Sequence, residues 1–348
     1  MVPTQAGAPR ATLQKVARQA SVSVQTVSNA LHRPEVLSPE TLVRVRQAID
    51  ELGYQPNRHA QSLRTGESRL IGLRVDQMTP SVVLDRFLHA LIDGFRTQGY
   101  SLIVFSPEDP ADDLSGYRDV LSSMSLDAFV LTATHPGDPR PAFLRERGTP
   151  TVSFGRPWGT EDAQHWVDVD GAAGTELAVD HLVELGHQRI AFLGWPPGSA
   201  VGDDRRSGWA RALLRHRLPS GPQAQAAEEL TAAIAAAGTL FDLTEPPTAV
   251  VCASDVLAVG AIHSLTARSL SAGADVAVTG FDDSPVAALL RPALTSVHQP
   301  LEQVASRIVG ILGRLLSGDA MASATPSSGV LVTPRLVVRA SSNHRENP

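Results

Sequence analysis

From residue 70 to residue 338, short apolar runs alternate with stretches of helical period, and this alternation limits the fold more than any other feature of the chain. Strands separated by helices run parallel, because a crossover must return the chain to the same end of the sheet. The first series predicts strands at 70–75, 101–105, 127–132 and 151–154. Helices fall between them at 84–95, near 114–124 and near 142–147, the first ended by Gly99. The second series predicts helix 171–185, strand 188–194, helices 204–217 and 225–236, strand 248–252, helix 255–267 and strand 275–281. An apolar run at 294–299, a long helix at 301–316, a Ser/Ala-rich loop and one last strand at 330–338 follow. Two such series imply two doubly wound α/β subdomains. Ligands bind such sheets at the carboxyl ends of their strands.

The residues before position 70 have another pattern. Residues 11–31, ATLQKVARQASVSVQTVSNAL, read as two short helices around a tight turn at Ala20-Ser21-Val22. Leu13, Val16, Ala17 and Ala20 recur at helical spacing, and Ser23 is placed as N-cap of the second helix. Val27 and Leu31 pack back onto Val16 and Val22, which leaves Val24, Gln25, Ser28 and Asn29 outward. Short polar side chains on a helix suit a DNA major groove, where amides read base edges and hydroxyls bond phosphates. A helical hairpin that binds nothing shares this backbone pattern. Ser38-Pro39-Glu40 starts a third helix, with a capping serine, a proline in the first turn and an acid near the positive end. Leu42, Val45, Ile49 and Leu52 give it an apolar stripe, and Gly53 ends it. Residues 57–64 predict one more helix, too short to hold in water without a partner.

Charge divides the chain at the same place. Residues 1–67 carry eight Lys and Arg against five Asp and Glu, whereas the rest carries 22 against 31. A basic head on an acidic body fits a nucleic-acid reader joined to another function. The single cysteine, Cys252, excludes an internal disulfide and suits a reducing cytoplasm; its apolar neighbours make it an inert core thiol. Residues 1–10 lack the apolar core of a signal peptide, and no run is long enough to span a membrane. The signatures G-x-S-x-G, G-x-G-x-x-G, H-E-x-x-H and the P-loop are missing, as is any cysteine cluster. His181 and His187 are six apart, which is wrong for one helix face. The expectation is therefore no catalytic residue, no metal and no cofactor.

Three blocks carry a family resemblance: TLQKVARQA, VSVQTVSNAL, and LGYQPNRHAQSLR at 52–64. Their spacing resembles that of the lac repressor/galactose repressor family of bacterial transcription regulators, and the likeness extends over residues 11–341. It implies a multidomain protein: an all-α helix-turn-helix domain at 11–56 after a tail at 1–10, a hinge helix and linker at 57–67, and a core at 68–341 like a periplasmic sugar-binding protein. The core divides into an N-subdomain at about 68–167 and 298–329 and a C-subdomain at about 168–297 and 330–341, with a tail at 342–348. DNA contacts carried over by the resemblance are Thr12, Leu13, Ser23, Val24, Gln25, Thr26, Ser28, Asn29, Tyr54, Asn57, Leu63 and Arg64. Leu63 matches the leucine that wedges into the minor groove, with Arg64 lining it. Ser21 stands where the family usually has Gly, and Val24 and Asn29 depart from the tyrosine and arginine of the lac repressor.

For the effector, the resemblance points to Arg205, four residues before Trp209, and to Asp282, first of an Asp pair. An arginine in a first helical turn is disfavoured by the helix dipole, so a function is expected for it. Its donors can grip adjacent hydroxyls or a carboxylate, and a carboxylate at 282 can accept from sugar hydroxyls. Asp283 fits a turn or helix cap. Ser254 lies where the family often has Asn, and Gly155 where the lac repressor has Asp. Trp166 either stacks on a sugar or belongs to the core; Asp76 and Phe154 complete the candidates. The expected protein is a homodimer, not a tetramer, that represses carbohydrate-use genes from a pseudo-palindromic operator in double-stranded DNA and is released by a sugar. A co-repressor-dependent regulator of purine or nucleoside type, and a sugar-binding module without DNA function, are the alternatives.

Overall fold

The computed structural model describes residues 11–54, 67–75, 82–109, 111–159, 165–318 and 329–343. The chain divides after Ser68 into two compact units. In the first, α1 (Leu13–Gln19), α2 (Val24–His32) and α3 (Pro39–Leu52) surround a small core of Val16, Ala17, Val27, Ala30, Val45 and Ala48. Each helix starts on a hydroxyl cap. Thr12 accepts from the Lys15 amide, Ser23 from Thr26 and Ser38 from Thr41. Gly53 ends α3 in the left-handed conformation, at φ 58°. Ser21, in the turn, is also left-handed, at φ 50°.

The second unit holds two six-stranded sheets. The first contains β1 (Leu70–Arg74), β2 (Ser101–Phe105), β3 (Ala128–Leu131), β4 (Thr151–Phe154), β5 (His165–Val169) and β11 (Gly329–Val332). Its order is β11-β5-β4-β3-β1-β2, parallel throughout. The helices α4 (Val82–Thr97), α5 (Ser115–Ser123), α6 (Arg140–Arg145) and α12 (Leu301–Leu316) belong to this subdomain. Phe87 and Leu91 of α4 and Ile308 of α12 meet Ile71, Leu73, Val130 and Val152 of the strands in one core.

The second sheet contains β6 (Ile190–Gly194), β7 (Gln223–Gln225), β8 (Ala249–Cys252), β9 (Ala277–Asp282), β10 (Thr295–His298) and β12 (Arg335–Val337). Its order is β12-β10-β9-β8-β6-β7, with β12 alone antiparallel. Between these strands run α7 (Gly171–Glu184), α8 (Ala200–Arg215), α9 (Leu230–Phe241), α10 (Asp255–Thr266) and α11 (Pro285–Leu289). Trp209, Phe192, Phe281, Leu257 and Val250 fill its core, with Cys252 buried among them. Burial pushes the Cys252 thiol far above its ordinary range, which suits an inert core residue.

Four readings of the sequence are corrected. The stretch read as helix 225–236 is an edge strand, β7, and a helix that starts only at Leu230. The single strand read at 330–338 is two strands, one in each sheet, broken at Thr333-Pro334. Proline there supplies no N–H to a ladder, and the chain changes sheets. The segment around Trp166 is a full strand, β5, so the first crossing follows Val169 instead of Val167, and the last follows Val332 instead of Gly329. The helix carrying Arg205 begins at Ala200, capped by Ser199, which accepts from the Gly202 amide. Arg205 thus sits in the second turn, and the dipole argument for it does not hold.

Candidate functional site

Strand ends of both sheets converge on a cavity of about 490 Å³, lined among others by Phe154, Trp158, Asp168, Trp195, Arg205, Glu228, Phe281, Asp282 and Gln299. This is an ordinary volume for a small-molecule site, where roughly 300–1,000 Å³ is usual. The polar centre is Arg205. It is 5 % exposed. Its Nη1 donates to the Ala253 carbonyl at 2.5 Å and lies 3.7 Å from Asp282 Oδ1. The guanidinium carbon stands 3.6 Å from the Phe281 ring centroid and 5.2 Å from that of Trp195. Its Nε has no partner. A buried donor left unpaired costs roughly 1–3 kcal/mol, and a ligand acceptor at this position relieves it.

Asp282 ends β9 at φ 112°, a strained angle for a residue with a side chain. It accepts from Gln299 Nε2 at 2.7 Å. Burial pushes its carboxyl up to about 7, although Arg205 beside it pulls the other way. Burial likewise raises Asp168 and lowers Arg205. Arg156 ties the two subdomains together across the cleft mouth. Its Nε donates to Asp168 at 2.9 Å, and its Nη1 to Asp204 of α8 at 3.3 Å.

Of the effector residues expected from the sequence, Phe154, Arg205 and Asp282 line this cavity. Ser254 does not. It is fully buried as N-cap of α10, accepting from the Leu257 amide at 3.2 Å and donating to Glu228 at 2.9 Å. Trp166 lines a neighbouring groove instead. Asp76 lies outside the described residues. Asp283 is no cap: it pairs with Arg339 and His298, and Ser284 precedes α11. Gly155 lies at φ 115°, and a Cβ there would collide with Thr134 Oγ1, so a carboxylate at 155 has no room. The sequence reading missed Trp158, Trp195, Glu228 and Gln299. Trp195, Gln299 and Trp158 follow β6, β10 and β4 by one to four residues, so the strand-end rule could have found them.

The helical unit presents a second surface. Val24 and Gln25 are exposed, and Ser28 and Asn29 half-buried. Gln25 Nε2 donates to Asn29 Oδ1 at 3.1 Å along α2. Ser23 and Thr26 share a hydroxyl contact of 2.8 Å at its start. Thr12 caps α1, and Leu13 packs partly into the core. Tyr54 is only 8 % exposed and belongs to that core, where burial raises its phenol. Asn57, Leu63 and Arg64 lie outside the described residues. Among the described residues no cluster of His, Cys, Asp or Glu suits a metal, and no helix is long and apolar enough to cross a membrane.

Residues 12–57 match the family described as bacterial regulatory proteins, lacI family, and residues 179–342 the periplasmic binding protein-like domain. The transcriptional regulator CelR of Thermobifida fusca is 32 % identical over 89 % of this chain and 93 % of its own length. A structure of the lac repressor dimer bound to operator and the anti-inducer ONPF superposes with a TM-score of 0.84. It shares 26 % identity and covers 96 % of this chain and all of its own. A complex of CelR with cellobiose gives 0.71 at 29 % identity, over 95 % of this chain and all of its own. The capped helix-turn-helix, the two sheets with their crossing chain and these likenesses agree: the protein belongs to the lacI family of bacterial transcriptional regulators.

Proposed function

We propose that the protein is a sequence-specific repressor that binds a two-half-site operator as a homodimer in the cytoplasm and is released from it by a sugar. The observation that carries the sugar reading is the Arg205–Asp282 pair, with a free guanidinium donor, set among the rings of Trp158, Trp195 and Phe281 in a cleft between two sheets. Charged forks and carboxylates bond vicinal hydroxyls, and aromatic faces cover the apolar side of a pyranose. The CelR–cellobiose complex, over nearly the whole chain, supports the same class of ligand. The arrangement binds and orients. Membership of a family of DNA-binding regulators supports a regulator in place of an enzyme.

On DNA, the exposed face of α2 enters the major groove, where Gln25 and Asn29 face base edges while Ser23, Thr26 and Ser28 reach phosphates. Residues 57–64, which the sequence reads as a hinge helix, lie outside the described residues. Sugar in the cleft shifts the core to an arrangement that binds the operator less tightly.

The test is direct. An operator is selected from random duplex DNA, and its complex is titrated with sugars while anisotropy is followed. Release by a sugar that also raises the melting temperature of the free protein supports the proposal. Release by no sugar, but tighter operator binding with a purine, overturns it in favour of a co-repressor. Arg205→Ala is expected to abolish the sugar response and leave operator affinity unchanged. A variant still released at the same sugar concentration removes Arg205 from the site.

A further inference from the structure

One carboxylate of the Arg205 cavity is not matched by a cation. Asp168 and Asp204 share Arg156, at 2.9 and 3.3 Å, and Asp282 stands 3.7 Å from Arg205. Glu228 lines the same cavity and, among the described residues, makes no ion pair. The wall therefore carries more negative than positive charge.

Glu228 is engaged on one oxygen only. β9, β8, β6 and β7 lie side by side and run parallel, so their carboxyl ends bring Asp282, Ser254, Trp195 and Glu228 to one end of the sheet. Oε2 of Glu228 accepts from the Trp195 indole and from Ser254 Oγ, the latter at 2.9 Å. Oε1 has no partner among the described residues. The two donors need only an acceptor, and the amide oxygen of a glutamine would serve them equally. Packing thus calls for no charge here, while a half-buried carboxylate without a cation is unfavourable. Its field reaches Asp282, whose proton is held chiefly by burial and further by the charges of Asp255 and Glu228. A second, independent feature of the cavity points to a ligand. Arg205, 5 % exposed, leaves its Nε donor without a partner. A ligand that completes the cavity presents an acceptor to Arg205 and a cation to Glu228.

We propose that the effector is a basic sugar, an amino or imino sugar whose protonated nitrogen donates to Glu228 while a hydroxyl or ring oxygen accepts from Arg205. This rests on the sugar reading above. A protonated amine has donors and no acceptor, and its bond to a carboxylate is charge-assisted. A neutral hexose can offer Glu228 a hydroxyl, but it leaves the surplus charge in place.

Calorimetric titration of the full chain in mildly acid solution, where the amines carry their protons, tests it. The probes are glucosamine, galactosamine, mannosamine and the imino sugar deoxynojirimycin, set against glucose, galactose and mannose. At least one basic sugar is expected to bind at least ten times more tightly than its neutral counterpart. Glu228→Gln keeps an acceptor for Trp195 and Ser254 and removes the charge, so the ratio of the two affinities is expected to fall to about one. A merely structural Glu228 would leave that ratio unchanged. Should this variant fail to fold, the ligand comparison in the unaltered protein decides. Neutral hexoses that bind as tightly as every basic sugar overturn the inference and leave the sugar reading standing. A preference for the amine that persists in Glu228→Gln does the same. Binding by neither set overturns the sugar reading itself, and this inference with it.

Discussion

Asp282 holds its proton near neutrality because its surroundings resist its charge more than Arg205 favours it. Its carboxyl titrates at about 7 in the fold against 3.8 ordinarily. A raised pKa means that the stability from this group is complete below the unfolded value and lost as pH rises through the folded one. Asp168 and Asp255, raised by burial too, act in the same direction. Asp283, Glu176 and Glu302 are lowered, and their opposite slope falls in more acid solution. His165, His181 and His187, lowered by burial, have the opposite slope in the same range, so the Asp282 contribution is read as a difference: between about pH 5 and pH 7, urea unfolding should show the stability of the protein relative to Asp282→Asn falling as pH rises. The same pH slope in both proteins refutes the assignment. The ionised carboxylate accepts more strongly from sugar hydroxyls than the protonated form does, so sugar affinity should rise over the same window with release of a proton. On the DNA face, Gln25→Ala should relax sequence preference by roughly 1–3 kcal/mol, the worth of one bidentate base contact. Equal losses on operator and random duplex would instead make Gln25 a phosphate contact. Arg205 and Asp282 were legible in the sequence through the resemblance. Glu228 was not, because it follows an edge strand that the sequence hides.

Elements were legible where period and caps agreed. Ser23, Ser38 and Gly53 mark the ends of α2 and α3 in the sequence, and the structure places those ends within one residue. The elements that escaped had no period to show. β7 has three residues, Gln-Ala-Gln, two of them exposed, and among the described residues pairs only with β6, at the sheet edge. β11 and β12 are separated by two residues, so their apolar runs fuse on paper. The start of α8 was placed late because Gly202 and two aspartates weaken the helical pattern there, whereas Ser199 supplies the cap. One element-scale change separates geometry from recognition. Ser21 holds φ 50° in the turn between α1 and α2. The left-handed conformation costs a residue with a Cβ roughly 1–2 kcal/mol, which glycine does not suffer. Ser21→Gly should raise the unfolding temperature of the helical unit in the full chain and leave operator affinity unchanged. An unchanged or lower unfolding temperature contradicts the strain.

At the scale of the molecule, the alternation of strands and helices after residue 70 revealed two doubly wound subdomains. Which sheet each strand joins was less legible, since crossings are set by tertiary pairing and leave only Pro334 as a trace. The acidic body and basic head follow the same division as the two compact units. A sugar at Arg205 and Asp282 that governs DNA binding by the helical unit must be coupled to it energetically. Such couplings are typically ~1–3 kcal/mol, about 5–150-fold in affinity, and they are reciprocal. The measurement is the sugar affinity of the free protein and of the protein saturated with operator DNA, by calorimetry at one salt concentration. Release by sugar requires weaker sugar binding in the operator complex, by the same factor that sugar weakens the operator. Equal affinities with and without operator would show that the cleft does not control DNA binding, and tighter binding on the operator would make the sugar a co-repressor.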